Sequence, residues 1–503
     1  MNAILAYDLG TTGLKTALYD PGDGRLLALA EREIPLSRPA PTWAEQEPYH
    51  WWEAVVSTTH AVLAAAPAGY QVASIGLSSQ RETVVPVDEA GEPLGPAVLW
   101  MDRRALAEAR DLAALLGADQ IHQVTGMAAE PTFTAPKLLW LKRTQPDLFR
   151  RARWFLCPKD FLGMRLTGAP FLDPSMAART ALYDTRRRDW WPAALAALEL
   201  SPERLAPVIP SAAPGGYLIP AAAATLGLPP GIPVAAGGGD RCCEALGAAA
   251  GEGRVMESTG TATNLSAVTD RLGDRLPDGI LVTAHVVDGW LLEQGISTGG
   301  SVLKWLRDNV TGVPYAELDQ LAAASRPGAG GLLLLPFFMG ARATRWQPEA
   351  RGALFGLTLG HRQGDLSRAV MEGVAMEVRA CLDLLAREAV PVSELVSLGG
   401  GAGSPVWRQI KAGVTGRPVG ALRAAHAASF GAMLLGAAAA GLIDDPLAAA
   451  RRLNPVTTWE EPHHTAFYDQ LYSLYNQLYR SVEGLYGALA ALTEAAPGHH
   501  QEG

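Results

Sequence analysis

The chain is poor in cysteine: four in 503 residues, at Cys157, Cys242, Cys243 and Cys381. They are too scattered for a disulfide framework, and no CxxC pair is present to start a structural zinc site. Charge is sparse as well, at 18% of residues, and the net balance is −9. That balance argues against a surface built for nucleic acid or for an anionic membrane. It leaves room for a small phosphorylated ligand, because backbone N–H groups can hold phosphate in an acidic protein. Long apolar runs are also missing. The longest, Phe430–Ile443, is rich in Ala and Gly and falls short of the roughly 20 residues a membrane helix needs. The opening MNAILAYDLG meets Asp8 after a short apolar stretch, unlike a signal peptide. A cytoplasmic protein is therefore expected, with no membrane and no nucleic-acid partner.

What is present is ample apolar material, 48% of residues. A chain of this length exceeds one ordinary core, so two large domains are expected. Ala3–Leu9, Leu14–Asp20, Arg25–Ile34, Val72–Ser78 and Val84–Val87 read as strands. Asp102–Leu116, Ala135–Thr144, Asp365–Arg387, Ser404–Val414 and His463–Leu489 carry helical spacing. Alternation of the two predicts an α/β fold with mixed sheets. The tail from Ala496 is expected to fray.

The sequence also echoes itself. When Leu5–Asp20 is laid over Val255–Asp270, Gly10 falls on Gly260, Thr11 on Thr261, Ala17 on Ala267 and Asp20 on Asp270. The offset is about half the chain, and both copies read strand, Gly-Thr turn, strand. Two unrelated hairpins would give the same echo; duplication also accounts for the shared turn and the half-length offset.

Several segments carry chemistry. Asp8-Leu9-Gly10-Thr11-Thr12-Gly13 is a tight turn after a strand, where N–H groups and hydroxyls suit phosphate. Asp8 is placed to hold Mg²⁺, directly or through water, and Lys15 adds a cation. Gly237-Gly238-Gly239-Asp240 brings a carboxylate to the end of a strand, as a general base requires. Asp240 equally suits a helix N-cap. Gln80-Arg81-Glu82-Thr83 offers an acid and a base to the hydroxyls of a polyol, or an exposed turn. Trp100 and Asp102 in WMDRR offer an indole face and a carboxylate, or an interfacial Trp and a cap. Leu398–Ser404 is a glycine loop between a strand and a helix. Gly295-Ile296-Ser297-Thr298-Gly299 is a literal GxSxG, yet no oxyanion segment precedes it and only Asp365 and His426 offer the partner order of a serine hydrolase. His463-His464 and His499-His500 lack partners at ligand spacing and read as surface residues.

Taken in order, these segments resemble the FGGY carbohydrate kinases over nearly the whole chain. The likeness runs from YDLGTTGLKTALYD through WMDRR, PTFTAPKLLW, GGGD at 237–240 and STGTAT at 258–263 to GALFGLTLGHRQGDLSRAVMEG and LGGGAGSPVWRQI. It implies two ribonuclease-H-like domains of the sugar kinase/actin/Hsp70 fold, residues 1–246 and 247–503, with a cleft between them. It implies ATP and Mg²⁺ as cofactors and a small sugar or polyol as substrate, with a homodimer among the allowed assemblies. By the match, Asp240 is the catalytic base and Asp8 the metal-orienting acid. Gly10, Thr11, Thr12 and Lys15 belong to the first phosphate loop, Gly260 and Thr261 to the second. Gly300, Gly400 and Gly401 line the nucleotide.

The substrate end mixes subfamilies. FTAPKLLW and Pro158-Lys159-Asp160 look like xylulose kinases, whereas QRET looks like glycerol kinases, in which the Arg and Glu hold hydroxyls. Arg81 and Glu82 are therefore expected substrate contacts, with Trp100, Asp102, Arg241 and Asn264. Glycerol kinases have Tyr, Gln and Phe where this chain has Thr132, Arg241 and Asn264. The more polar site favours a pentulose such as D-xylulose, with a polyol as the alternative and a GxSxG hydrolase as a remote one.

Overall fold

The computed structural model describes residues 1–495. The tail from Ala496 and the His499-His500 pair lie outside the described residues. Two mixed seven-stranded sheets organise the chain. In the first, Asn2–Leu9 pairs antiparallel with Gly13–Tyr19, which pairs with Leu26–Glu33; on its other side Asn2–Leu9 runs parallel to Gln71–Ser79, followed by Pro233–Ala235. In the second, Arg254–Thr259 pairs antiparallel with Thr263–Thr269, which pairs with Trp290–Ile296; on its other side Arg254–Thr259 runs parallel to Glu394–Leu398, followed by Val419–Leu422. The same pairing order recurs in both, with one extra edge strand, Leu281–Ala284, inserted in the second, so the echo in the sequence corresponds to a repeated strand arrangement. The Leu9–Leu14 pair closes the first turn and the Thr259–Thr263 pair the second.

The apolar run near residue 430 forms the helix Ala427–Ala439, wedged with Asp240–Gly247 between the two sheets. One buried cluster joins Ile4, Ala6 and Tyr19 of the first sheet to Met256, Leu291 and Val396 of the second through Phe430, Met433 and Leu434 of that helix. Its small residues have a steric cause. A Cβ on Gly431 would lie 1.9 Å from the Cys243 carbonyl oxygen, and one on Gly76 would lie 1.9 Å from that of Ala432. The helix thus approaches both the neighbouring helix and the first sheet at backbone distance.

Most expected elements lie within a few residues of their predicted bounds. The helix expected from Asp365 begins at Gln363, and Asp365 accepts the Arg362 N–H at 2.9 Å. Ser404 caps Pro405–Thr415 by accepting the Trp407 N–H at 3.1 Å. The C-terminal helix runs Thr465–Val482 and then breaks into a 3₁₀ turn. Its Tyr468, Leu471, Tyr475 and Tyr479 are buried, while Phe467 and Leu474 face outward. No helix among the described residues is long and apolar enough to cross a membrane.

Candidate active site

The glycine run before Asp240 forms a two-residue strand, with Gly238 opposite Ser78 and Gly239 opposite Ser79. The end of Gln71–Ser79 and the start of the helix Asp240–Gly247 therefore lie side by side, which brings Arg81 against Asp240. Glycine is required there: a Cβ on Gly239 would lie 2.5 Å from Arg81 Cδ. Gly239 is the helix cap, and Asp240 is the first helical residue rather than the cap. Its Oδ1 accepts the Arg241 N–H at 2.7 Å and faces Arg81 Nε at 3.1 Å, with 37% of the side chain exposed. Behind the loop, Ser175 Oγ accepts the Gly239 N–H at 3.0 Å. Ser175 is held in turn by Asp173, which lies 3.4 Å from the buried Lys159 ammonium.

Asp240 opens on a cavity of about 460 Å³. Thr11 of the first turn and Ala262 of the second both line it, as do Arg81, Glu82, Trp100, Arg241 and Asn264. Four charges pair along one wall. Arg81 donates from both terminal nitrogens to Glu293, at 2.8 and 2.8 Å. Arg179 donates to Glu293 at 3.2 Å and pairs with Glu82 through its other nitrogens. Burial raises the Glu293 carboxyl, but the Arg81 and Arg179 guanidiniums outweigh it and hold the group at about 2. Glu82 takes a left-handed backbone, φ 59°. The buried Lys137 supports that turn by donating to the carbonyls of Glu82 at 2.9 Å and Thr132 at 2.7 Å. Desolvation brings the Lys137 ammonium down to about 7.

At the other end of the cavity, Trp100 Nε1 donates to Thr11 Oγ1 at 2.8 Å. Asp8 is the penultimate residue of the first strand, and Ser78 donates to its Oδ1 at 2.8 Å. Burial pushes the Asp8 carboxyl up to about 6; Ser78 and Lys15 oppose the rise, and Asp240 and Glu244 add to it. Among the described residues no group of three or more His, Cys, Asp or Glu is arranged to hold a metal ion. Asp8 still fits Mg²⁺, which typically binds one or two carboxylates together with substrate phosphates and water. Lys15 lies opposite Asp8 in the hairpin. Its ammonium is 3.8 Å from Glu31, with both side chains well exposed, so that pair contributes little. Thr12, Gly260 and Thr261 are exposed at the turn tips.

The second turn is assembled from backbone. Gly300 donates its N–H to the Gly260 carbonyl at 2.7 Å, and Ser301 donates to that of Thr261 at 3.2 Å. A Cβ on Gly300 would lie 2.6 Å from the Gly260 oxygen. Gly400 and Gly401 follow the strand Glu394–Leu398, whose neighbour Arg254–Thr259 leads into the second turn. Beneath them the buried Lys411 pairs with Glu257 at 2.7 Å.

One expected contact is corrected, and the remote hydrolase alternative finds no support. Asp102 does not reach the cavity: it is fully buried and accepts the Ala44 N–H at 2.6 Å and the Arg104 guanidinium at 2.7 Å. Its role is to anchor the segment that presents Trp100. The GxSxG serine lacks a triad: among the described residues Ser297 has no histidine partner, and Asp365 bonds Ser325 at 2.6 Å instead. Arg179, Glu293, Arg342 and Trp346 line the cavity without having been foreseen. Only Glu293 left a trace, as the lone charge within the strand WLLEQGI.

A model of the FGGY family of carbohydrate kinases matches in two parts, its N-terminal domain over residues 3–247 and its C-terminal domain over residues 257–440. The chain belongs to this family. It is an ATP-dependent phosphotransferase acting on small-molecule sugar substrates. A xylulose kinase of Klebsiella pneumoniae is 33% identical over 417 residues, 82% of this chain and 84% of that protein. A glycerol kinase of Methylibium petroleiphilum is 33% identical over 474 residues, 89% of this chain and 93% of that protein. Among solved structures, xylulose kinase from Rhodospirillum rubrum superposes with a TM-score of 0.89 at 27% identity, covering 96% of this chain and 100% of that one. The two-domain kinase fold is thus shared over 96% of this FGGY kinase.

Proposed function

We propose that this kinase phosphorylates a terminal hydroxyl of a small ketose, with D-xylulose or a related pentulose as the preferred acceptor, and that it works in the cytoplasm. The observation that carries the reading is the position of Asp240 on a cavity shared by both Gly-Thr turns. An acceptor there lies between a base and the phosphate loops. Asp240 takes the proton of the attacking hydroxyl, a contribution typically worth about 10²–10⁴-fold. The N–H groups of the two turns, with Thr11, Thr12 and Lys15, hold the phosphates, while Gly300, Gly400 and Gly401 admit the nucleotide. Asp8 holds Mg²⁺, which when bound neutralises charge on the phosphates. We place the division between the domains at residues 246 and 247, so that closure across the cleft excludes water as a competing acceptor.

A pentulose suits the polar lining better than glycerol does, because Thr132, Arg241 and Asn264 offer polar groups toward the cavity. Glycerol remains the second reading, favoured by Arg81 and Glu82 and by the similarity to a glycerol kinase over 89% of this chain. An ADP-release screen over xylulose, ribulose, other ketoses, glycerol and tetritols decides between them. The expected result is kcat/KM for a pentulose at least about tenfold above that for glycerol, the scale set by a few lost polar contacts. A reversed order overturns the pentulose reading and leaves the kinase.

A further inference from the structure

Glu293 is the one acid in the strand Trp290–Ile296, and it points across the cleft from the second sheet. It takes both terminal nitrogens of Arg81 at 2.8 Å, one of Arg179 at 3.2 Å and the Thr283 hydroxyl at 3.0 Å. Arg81 follows the first sheet and faces Asp240 through its Nε, at 3.1 Å, while both terminal nitrogens go to Glu293. The Arg81, Glu293 and Arg179 side chains are 8%, 11% and 6% exposed. A bidentate fork fixes the plane of a guanidinium as well as its position. Freed from Glu293, the terminal nitrogens of Arg81 would have the neighbouring Asp240 carboxylate, already 3.1 Å from Nε, to fork onto. Such a fork would occupy the oxygens that must accept a proton.

We propose that Glu293 is a positioning residue for phosphoryl transfer: by holding Arg81 across the cleft it leaves Asp240 free to act and ties the two domains together in the arrangement where the base is aligned. This rests on the reading of Asp240 as the base. The guanidinium is thereby shared between a structural carboxylate and a working one. Of the groups Glu293 holds, Arg81 is the one that touches Asp240, so its effect on the base should vanish when Arg81 is gone.

The test is steady-state kinetics on the full-length enzyme with ATP and the best acceptor of the screen, for Glu293→Gln, Glu293→Asp, Arg81→Gln and the Arg81→Gln/Glu293→Gln double variant, with Asp240→Asn alongside. Misalignment of a catalytic group by about 1 Å costs on the order of 10²-fold, so kcat of Glu293→Gln should fall by about that factor, with the ATP KM held within about twofold. Glu293→Asp should recover part of the loss. The double variant should be no slower than Arg81→Gln alone, as expected of residues acting as a unit. If Glu293→Gln does not fold, the neutral double variant decides the matter, because removing both charges of a buried pair is often tolerated. A folded Glu293→Gln with wild-type kcat, or a double variant clearly slower than Arg81→Gln alone, overturns the proposal. Full activity in Asp240→Asn instead overturns the base reading on which it stands.

Discussion

At the proposed acceptor end of the cleft, Arg81, Glu82, Arg179 and Glu293 pair with one another at distances up to 3.2 Å. At the end proposed to hold the nucleotide the same work of ordering falls to backbone: Gly300 bonds Gly260, and Gly400 and Gly401 sit beside the strand end that leads into the second turn. Phosphate is a generic anion that N–H groups recognise, whatever the side chains. A sugar is told from its analogues by oriented polar groups, each of which is costly when left without a partner. Substitutions at the two ends should therefore separate. The acceptor end should respond to loss of a charge and the nucleotide end to added bulk.

The largest effect is expected at the point where the two ends meet. Asp240→Asn should reduce transfer by at least about 10²-fold while ATP still binds, as read by ADP release together with nucleotide titration. Next is Gly300→Val, whose Cβ would collide with the Gly260 oxygen at 2.6 Å. Overpacking costs about 1–3 kcal/mol, so the ATP KM should rise about tenfold or more with the acceptor KM little changed. An equal rise in both would break the comparison.

A smaller effect should appear in stability. Glu293 has its carboxyl lowered from 4.5 to about 2. A lowered folded-state value stabilises above the unfolded value and is lost as pH falls through the folded one. At about 1.4 kcal/mol per unit, the group contributes about 3 kcal/mol near neutrality. The Tm difference between wild type and Glu293→Gln should therefore be widest above pH 5 and shrink as pH falls toward 3. A difference independent of pH would mean that the pair is not charged in the fold. The smallest effect is expected for Ser297→Ala, which should leave kinase activity within about twofold of wild type, since surface or uninvolved positions rarely matter.

The two ends also differed in how far the sequence announced them. Glycine beside threonine at 10–11 and again at 260–261 marks a place where backbone must approach a ligand, and that need is local, so it leaves a local pattern. The pairing of Arg81 with Glu293 spans 212 residues, and no spacing rule reaches so far. Asp102 misled for a related reason: a carboxylate next to an indole looks the same whether it faces a cavity or a buried Arg104. The run at 430 gave up its composition but not its place. Only the carbonyl contacts of Gly76 and Gly431 explain why the helix between two sheets must be built from small residues.

The division between the two ends is tested most directly by a two-substrate kinetic matrix for Arg81→Ala. Truncation removes the buried guanidinium from the Glu293 and Asp240 side and leaves the backbone bonds of the second turn in place. The account predicts an acceptor KM raised at least about tenfold with the ATP KM within about twofold of wild type. An equal rise in both constants would contradict it.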